Sequence, residues 1–271
     1  MQEWLNHPAV RGGLAPFVAA LIVAELFQRM RLSGLAIIAG FAATVYLASD
    51  FSVEPLTATR KIVLLGLLSA GLALPLMLLN LRWLRPVLAV AGGVTAVWVA
   101  LRILQQQEVS SMLLWGAGCA LYAGWLVFWF DGLNDAPVRA GSAGFGLGVG
   151  TGAAALFGAS ALLGQFGLAL GAAAGAYLLI QMLTNTPLPC GRIFTLPLSL
   201  TAGLTGCLAV LTAQLPWYAL PVLAAIPLAA KIPVPVKGAL WLQSVLLSVV
   251  TLACAAGAVY LTWRVAGAPP L

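Results

Sequence analysis

Long stretches of the chain are apolar on every side, and short polar, basic or proline-rich segments separate them. A helix that crosses a bilayer needs about 20 mostly apolar residues. A transmembrane barrel would instead need alternating polarity, which these stretches lack. The pattern therefore predicts an all-α polytopic membrane protein with about ten transmembrane helices, over residues 13–30, 33–49, 60–80, 85–104, 110–130, 140–161, 165–184, 193–214, 217–231 and 239–263. The ninth of these spans is short and bounded by prolines.

The composition supports a chain that is solvated by lipid. Of 271 residues, 62% are hydrophobic and 7% are charged, whereas soluble domains carry about 25% charge. We expect a single membrane domain with no soluble domain, in a membrane such as the bacterial inner membrane, with lipid as its main partner. The one histidine, His7, excludes a bis-histidine haem and a histidine-rich metal site. We therefore expect no cofactor and no bound metal.

The basic residues predict how the helices are oriented. The 13 Lys and Arg are scattered, which argues against nucleic acid as a partner. With ten spans, one surface would carry five of them: Arg11, Arg60, Lys61, Arg102 and Arg264. The other surface would carry eight: Arg29, Arg31, Arg82, Arg85, Arg139, Arg192, Lys231 and Lys237. The positive-inside rule places the second set in the cytoplasm, and both termini on the non-cytoplasmic side.

The second half of the chain echoes the first. Pro55-Leu56 and Arg60 align without a gap to Pro187-Leu188 and Arg192, and other matches keep their order at offsets between 128 and 135. Residues 1–133 and 134–271 are thus predicted to be two copies of a five-helix unit. Because five is odd, tandem copies must lie in opposite orientations, which gives a 5+5 inverted repeat. Secondary transporters often use this arrangement.

Six residues are candidates for substrate binding: Tyr46, Tyr177, Gln181, Glu25, Arg60 and Arg192. Tyr46 and Tyr177 are related by the repeat, and Gln181 lies one helical turn beyond Tyr177. These three could line a substrate cavity, or they could make ordinary hydrogen bonds between helices. Glu25 is the carboxylate that falls within a span. It either pairs with Arg29 at the interface or couples transport to protons.

Arg60 and Arg192 each close a polar, proline-rich segment, over residues 50–60 and 184–192. Such a segment is either a helix-breaking turn with a basic anchor or a re-entrant, gating segment. Prolines cannot donate a backbone hydrogen bond, so a re-entrant segment would survive at membrane depth only beside a cavity. Asp131 and Asp135 frame a further turn, which we expect to be solvated rather than a metal-binding acidic cluster.

Glycine recurs in spans six and seven, at Gly144, Gly146, Gly148, Gly150, Gly152, Gly164, Gly167, Gly171 and Gly175. Small residues four apart let helix backbones approach closely, so tight packing is expected. A sliding or bending helix is the functional alternative.

Three classes of function fit this architecture. The inverted repeat favours a small secondary transporter or exporter of a small solute. The scarcity of charge inside the spans favours a non-catalytic membrane subunit or scaffold that binds lipid, quinone, other membrane subunits or a second copy. A lipid-processing enzyme is the third class, but the sequence contains no nucleophile–histidine–acid set. We therefore expect no catalytic residues and no enzymatic activity.

Overall fold

The computed structural model describes residues 7–49, 54–77, 83–158, 160–234 and 239–266. Every regular element within these ranges is helical, and together they form ten helical segments. These are α1 Val10–Phe27, α2 Ser33–Ala48, α3 Ala58–Met77, α4 Leu84–Leu104, α5 Val109–Asp131, α6 Pro137–Phe157, α7 Ala161–Thr184, α8 Gly191–Thr212, α9 Ala219–Ala229 and α10 Leu240–Ala266. The first turn of α1, Val10–Leu14, is a π-helix.

Each predicted span coincides with one of these helices, but the helices are not equally long. Eight are long and apolar enough to cross a membrane, and α2 and α9 are shorter. At 1.5 Å per residue α9 covers about 16 Å, roughly half of a hydrocarbon core. It contains prolines at 221 and 227 and is interrupted at Ala225, between Ala219–Ala224 and Ile226–Ala229. The structure thus supports an all-α membrane protein with eight candidate spans among the described residues, and the count of ten stays a prediction.

The outer faces of the helices confirm that lipid surrounds the bundle. On α1, the side chains of Leu14, Val18, Ile22 and Leu26 recur every four residues and are between 46% and 68% exposed. Such a stripe would be unfavourable in water, where large exposed apolar patches are rare. In a bilayer it faces hydrocarbon.

Hydrogen bonds join helix termini at one end of the bundle, which we call the Arg192 end. Ser33, in the first turn of α2, donates to the carbonyl of Pro189 at 2.7 Å. Arg192, in the first turn of α8, donates through Nη1 to the carbonyl of Leu76 near the end of α3, at 3.0 Å. The start of α8 therefore lies beside the end of α3, and these two helices are antiparallel.

The opposite terminus of the bundle, which we call the Lys61 end, holds the other ends of the same helices. Lys61, in the first turn of α3, donates to the carbonyl of Trp98 at 2.8 Å, and its ammonium lies 4.4 Å from the Trp98 ring centroid. Thr44, near the end of α2, donates to the carbonyl of Arg11 in α1 at 2.8 Å. Lys61 is almost fully buried, and these contacts replace its lost hydration.

Helix α8 forms the centre of the bundle. Within its most apolar 18 residues 94% are buried, and it contacts α3, α4, α5, α6 and α7. The helix is rich in hydroxyl side chains, which can satisfy themselves inside lipid. Ser199 and Thr205 each donate to the carbonyl four residues earlier, at 2.7 Å. Its polarity is thus compatible with complete burial.

Helices α6 and α7 form the closest pair in the structure, as the glycine pattern predicts. A Cβ atom added to Gly148 would overlap the backbone of Gly171. A Cβ atom added to Gly167 would overlap the backbone of Gly152. The prediction of tight packing is confirmed, because the two backbones meet where no side chain intervenes.

The packing of the helices is not symmetrical between the two proposed repeats. Helix α6 lies along both α7 and α10. Its proposed counterpart α1 packs on α2 and α7, and has no comparable contact with α5, the counterpart of α10. The boundaries 1–133 and 134–271 and the 5+5 repeat therefore stay predictions.

Candidate functional site

A buried ion pair lies at the Arg192 end of the bundle. Arg192 Nε donates to Asp131 Oδ1 at 2.8 Å, and the two side chains are 15% and 8% exposed. Asp131 is the last residue of α5, and Arg192 is the second residue of α8. Since Arg192 also donates to the end of α3, its guanidinium links α8 to both α3 and α5. A carboxylate at this depth is retained because the guanidinium compensates its lost hydration.

Asn134 extends this network through the turn between α5 and α6. Its Nδ2 donates to Asp131 Oδ1 at 2.9 Å, and its Oδ1 accepts from the Thr195 hydroxyl at 2.6 Å. Its backbone carbonyl accepts from the Gly191 amide at 3.2 Å. The expectation of a solvated turn holds for Asp135, which is exposed, but was wrong for Asp131, because the folded chain brings Asp131 against the start of α8. No group of three potential metal-ligating side chains occurs in the described ranges.

The segment between α7 and α8 folds into the bundle. Asn185 has a positive φ of 50° and turns the chain out of α7, and Gly191, at φ 62°, turns it into α8. Leu188 is only 1% exposed, and its carbonyl accepts a hydrogen bond of 2.7 Å from the Tyr177 hydroxyl. Tyr177 lies about two turns before α7 ends. The segment therefore descends below the end of its own helix.

A cleft of about 720 Å³ opens at this end of the molecule. Its walls are the end of α1, the end of α3, the α5–α6 turn and the segment between α7 and α8. The residues that line it include Arg29, Arg31, Asn134, Asp135, Leu188 and Gly191. We call it the polar cleft. The guanidinium groups of Arg29 and Arg31 outnumber the single carboxylate, that of Asp135. The first turns of α6 and α8 add the partial positive charge of helix N-termini. The polar cleft therefore has an excess of positive charge.

Cys190 lies in the wall of the polar cleft and is nearly buried. Burial raises the pKa of its thiol, and the nearby Asp135 carboxylate adds to this effect. The thiol is thus protonated at neutral pH, and a protonated thiol is a poor nucleophile and a poor metal ligand. The chemistry available in the polar cleft is charge recognition and hydrogen bonding.

The structure brings together three of the six predicted site residues. Tyr177, Gln181 and Arg192 all lie at the Arg192 end. Gln181 is completely buried; its Nε2 donates to the Tyr177 carbonyl at 3.4 Å, and its Oε1 has no hydrogen-bond partner among the described residues. These hydrogen bonds stay within α7 or join α7 to the segment before α8, so the bonding between helices that the sequence offered as an alternative is not seen at these two residues.

The other three predicted residues lie elsewhere. Tyr46 is near the opposite end of α2 and is 70% exposed, so it does not share a cavity with the fully buried Tyr177. Arg60 is at the Lys61 end, where its Nη1 donates to the Pro55 carbonyl at 2.9 Å. Glu25 and Arg29 are both exposed and form no ion pair in the described structure. The counterpart segment 50–60 lies partly outside the described residues, at positions 50–53.

Sequence reasoning missed the network of Asp131, Asn134 and Thr195. One signal was available, because the predicted topology already placed the Asp131 turn and Arg192 at the same surface. A carboxylate that directly follows an apolar span lies where an ion pair is better shielded from water than in a free loop. The polar cleft itself had no such signal, since its walls come from four separate parts of the chain.

No protein family, curated protein or solved structure matches this chain.

Proposed function

We propose that the protein is a small secondary transporter or exporter, without enzymatic activity, that binds a small anionic solute in the polar cleft. The positive charge of the cleft carries this proposal. Its wall contains Arg29, Arg31 and the start of α8, and an irregular, proline-rich segment forms its inner side. Transporters bind anionic groups at the N-termini of broken helices and use irregular backbone where it borders a cavity.

Alternating access also needs two opposed halves, and several contacts support the 5+5 arrangement. Arg60 begins α3, and Arg192 contacts the far end of the same helix, so the two repeat-related arginines lie at opposite ends of the bundle. Helices α3 and α8 cross near mid-length, where Gly66 approaches Thr201. Although both are short, α2 runs from the end of α1 at the Arg192 end to the start of α3 at the Lys61 end. Helix α9 likewise runs from the end of α8 at the Lys61 end to the start of α10 at the Arg192 end. We therefore include both among ten crossings.

We further propose that the Arg192 end faces the cytoplasm of a bacterial cell and that both termini lie outside. At this end the structure describes six basic residues: Arg29, Arg31, Arg85, Arg139, Arg192 and Lys231. The Lys61 end has the five assigned to it above. Arg82 and Lys237, which the sequence pattern assigns to the same surface, lie outside the described residues.

Alternating access predicts that a residue between α3 and α8 becomes reachable from both membrane faces. Thr201 is completely buried there, and its hydroxyl has no hydrogen-bond partner in the described structure. In a variant lacking Cys254, the native cysteine that is not buried, we expect Thr201→Cys to react with membrane-impermeant methanethiosulfonates. The modification should occur in both right-side-out and inverted vesicles, as measured by mass spectrometry of the intact protein.

Thr262→Cys is the matched control, because Thr262 is equally buried but lies on α10, away from this interface. It should stay unmodified from both faces. If the cysteine at position 201 is also unmodified from both faces, the interface does not open, and the carrier proposal fails.

The charge of the polar cleft predicts a preference for anions. We expect succinate, citrate or inorganic phosphate to raise the Tm of the purified protein. The double variant Arg29→Gln, Arg31→Gln should need about tenfold more anion for the same shift, which corresponds to about 1.4 kcal/mol. Arg102→Gln removes an exposed arginine at the Lys61 end and should leave the response unchanged. An equal loss in both variants would point to general screening rather than a site.

A second candidate function is favoured by the closely packed interior. Tyr122 packs against Gly206, so a Cβ atom added to Gly206 would lie 3.0 Å from the Tyr122 ring. A Cβ atom added to Gly66 would lie 3.0 Å from the Thr201 hydroxyl. A carrier substrate would have to part these helices. A non-catalytic membrane subunit or scaffold would not need to, and labelling at position 201 distinguishes the two functions.

A further inference from the structure

A second cavity lies on the side of the bundle rather than at its end. It is a groove of about 480 Å³ between α7 and α10, with Phe17 of α1 and Phe145 of α6 on its inner side. Its lining is apolar except for Ser244 and Ser248. We call it the lateral groove. An apolar cavity of this kind does not retain water, so within a membrane its occupant is a hydrocarbon.

The lateral groove belongs to one leaflet. On α7 it extends from Met182, near the Arg192 end, to Ala172, and on α10 from Ser244 to Leu252. These stretches are about 15 Å and 12 Å long. Half of a hydrocarbon core is also about 15 Å. A partner transmembrane helix would need a surface that continues through both leaflets, so the groove fits a chain from a single leaflet.

The volume of the lateral groove matches one acyl chain. A methylene occupies roughly the volume of a water molecule in the liquid, about 30 Å³. By that measure the groove accommodates about 16 methylenes, the length of a common fatty acyl chain.

Ser244 gives the groove a polar contact at the right depth. The side chain is 1% exposed, and its hydroxyl has no hydrogen-bond partner among the described residues. An unpaired buried hydroxyl is unfavourable in a lipid environment. Ser244 lies about one helical turn below the start of α10, at the boundary between headgroups and hydrocarbon where glycerolipids carry their ester carbonyls. Rotation about χ1 between staggered positions can direct the hydroxyl toward such a carbonyl.

We propose that the lateral groove binds one acyl chain of a glycerolipid from the leaflet at the Arg192 end, with the Ser244 hydroxyl donating to its ester carbonyl. This inference is independent of the transport proposal. The lipid would fill the space between α7 and α10 beside the close α6–α7 pair.

The test fills the lateral groove with a larger side chain. Gly175 lines the lateral groove, and a Cβ atom added there would meet only the Phe145 ring, at an ordinary contact distance of 3.4 Å. The full chain is reconstituted in nanodiscs of phosphatidylethanolamine and phosphatidylglycerol, extracted into mild detergent and measured by native mass spectrometry. We expect the unmodified protein to retain one lipid, Gly175→Leu to lose it at least fivefold, and Ser244→Ala to lose it about threefold.

Gly118→Leu is the matched control, because Gly118 lies on α5 with no atom near its Cβ position, and this variant should retain the lipid. If Gly175→Leu does not elute as a folded monodisperse protein, Ala172→Leu fills the same groove from the neighbouring turn. Retention of the lipid by the filled variant, or recovery of a quinone without acyl chains in its place, would overturn the proposal.

Discussion

Leucine in place of Gly148 is expected to destabilise the folded protein strongly. The added Cβ atom would overlap the backbone of Gly171 in α7, so neither a rotamer change nor a small side-chain shift makes room for it. The helices would have to separate, and with them the contacts of α6 with α7 and α10. We expect a loss of about 3 to 5 kcal/mol in the free energy of unfolding.

SDS titration of the detergent-purified protein, followed by circular dichroism, measures this loss. Gly71→Leu is the control, because Gly71 is on the exposed face of α3 and no atom lies near its Cβ position. That variant should change the unfolding free energy by less than about 1 kcal/mol. Equal stability of the two variants would mean that α6 and α7 do not meet through their backbones.

Loss of the charge at Arg192 is expected to have the second-largest effect. Arg192→Gln would leave the Asp131 carboxylate, which is 8% exposed, without a cation. Breaking a buried pair in this way destabilises proteins by about 3 to 5 kcal/mol. Because Arg192 is partly exposed, we expect a loss of about 3 kcal/mol in the free energy of unfolding. The main cause is the uncompensated carboxylate rather than the lost attraction alone.

A double-mutant cycle separates these causes. Asp131→Asn alone should also destabilise, but Arg192→Gln combined with Asp131→Asn should recover part of the loss, giving a coupling energy of about 1 to 3 kcal/mol. Arg102→Gln, an exposed arginine at the Lys61 end, should change stability by less than about 0.5 kcal/mol. If Arg192→Gln and Asp131→Asn each changed stability as little as Arg102→Gln, the Arg192–Asp131 pair would lie in free solvent rather than in the bundle.

Much of the fold could be predicted because the hydrophobic pattern in a membrane is a local property. A run such as 110–130 must satisfy its own backbone hydrogen bonds in lipid, and a helix is the way a single segment can do so. The predicted run matches Val109–Asp131 within one residue at each end. The prolines around α9 predicted that this helix would be short. Its length could not be predicted, because the chain around it determines where it ends.

The candidate site was only partly predictable. Arg192, Tyr177 and Gln181 could be chosen one by one, because a polar group in an apolar run is visible in sequence. Tyr46 looked equivalent to Tyr177 by the repeat, yet it is exposed where Tyr177 is buried. Sequence similarity between two halves does not determine which neighbours each residue meets.

The sequence by itself determined the solvent of this protein, the positions of its helices and the close approach of α6 to α7, because lipid burial and glycine spacing act over a few residues. The tertiary structure alone decided that Asp131 meets Arg192, that the segment after α7 folds inward to Tyr177, and that the polar cleft and the lateral groove exist. The ion pair and both cavities join residues far apart in the chain, and the contact of Tyr177 with Leu188 depends on how an irregular segment folds back on its helix. Their energies depend on which helices are neighbours, and no short stretch of sequence specifies that.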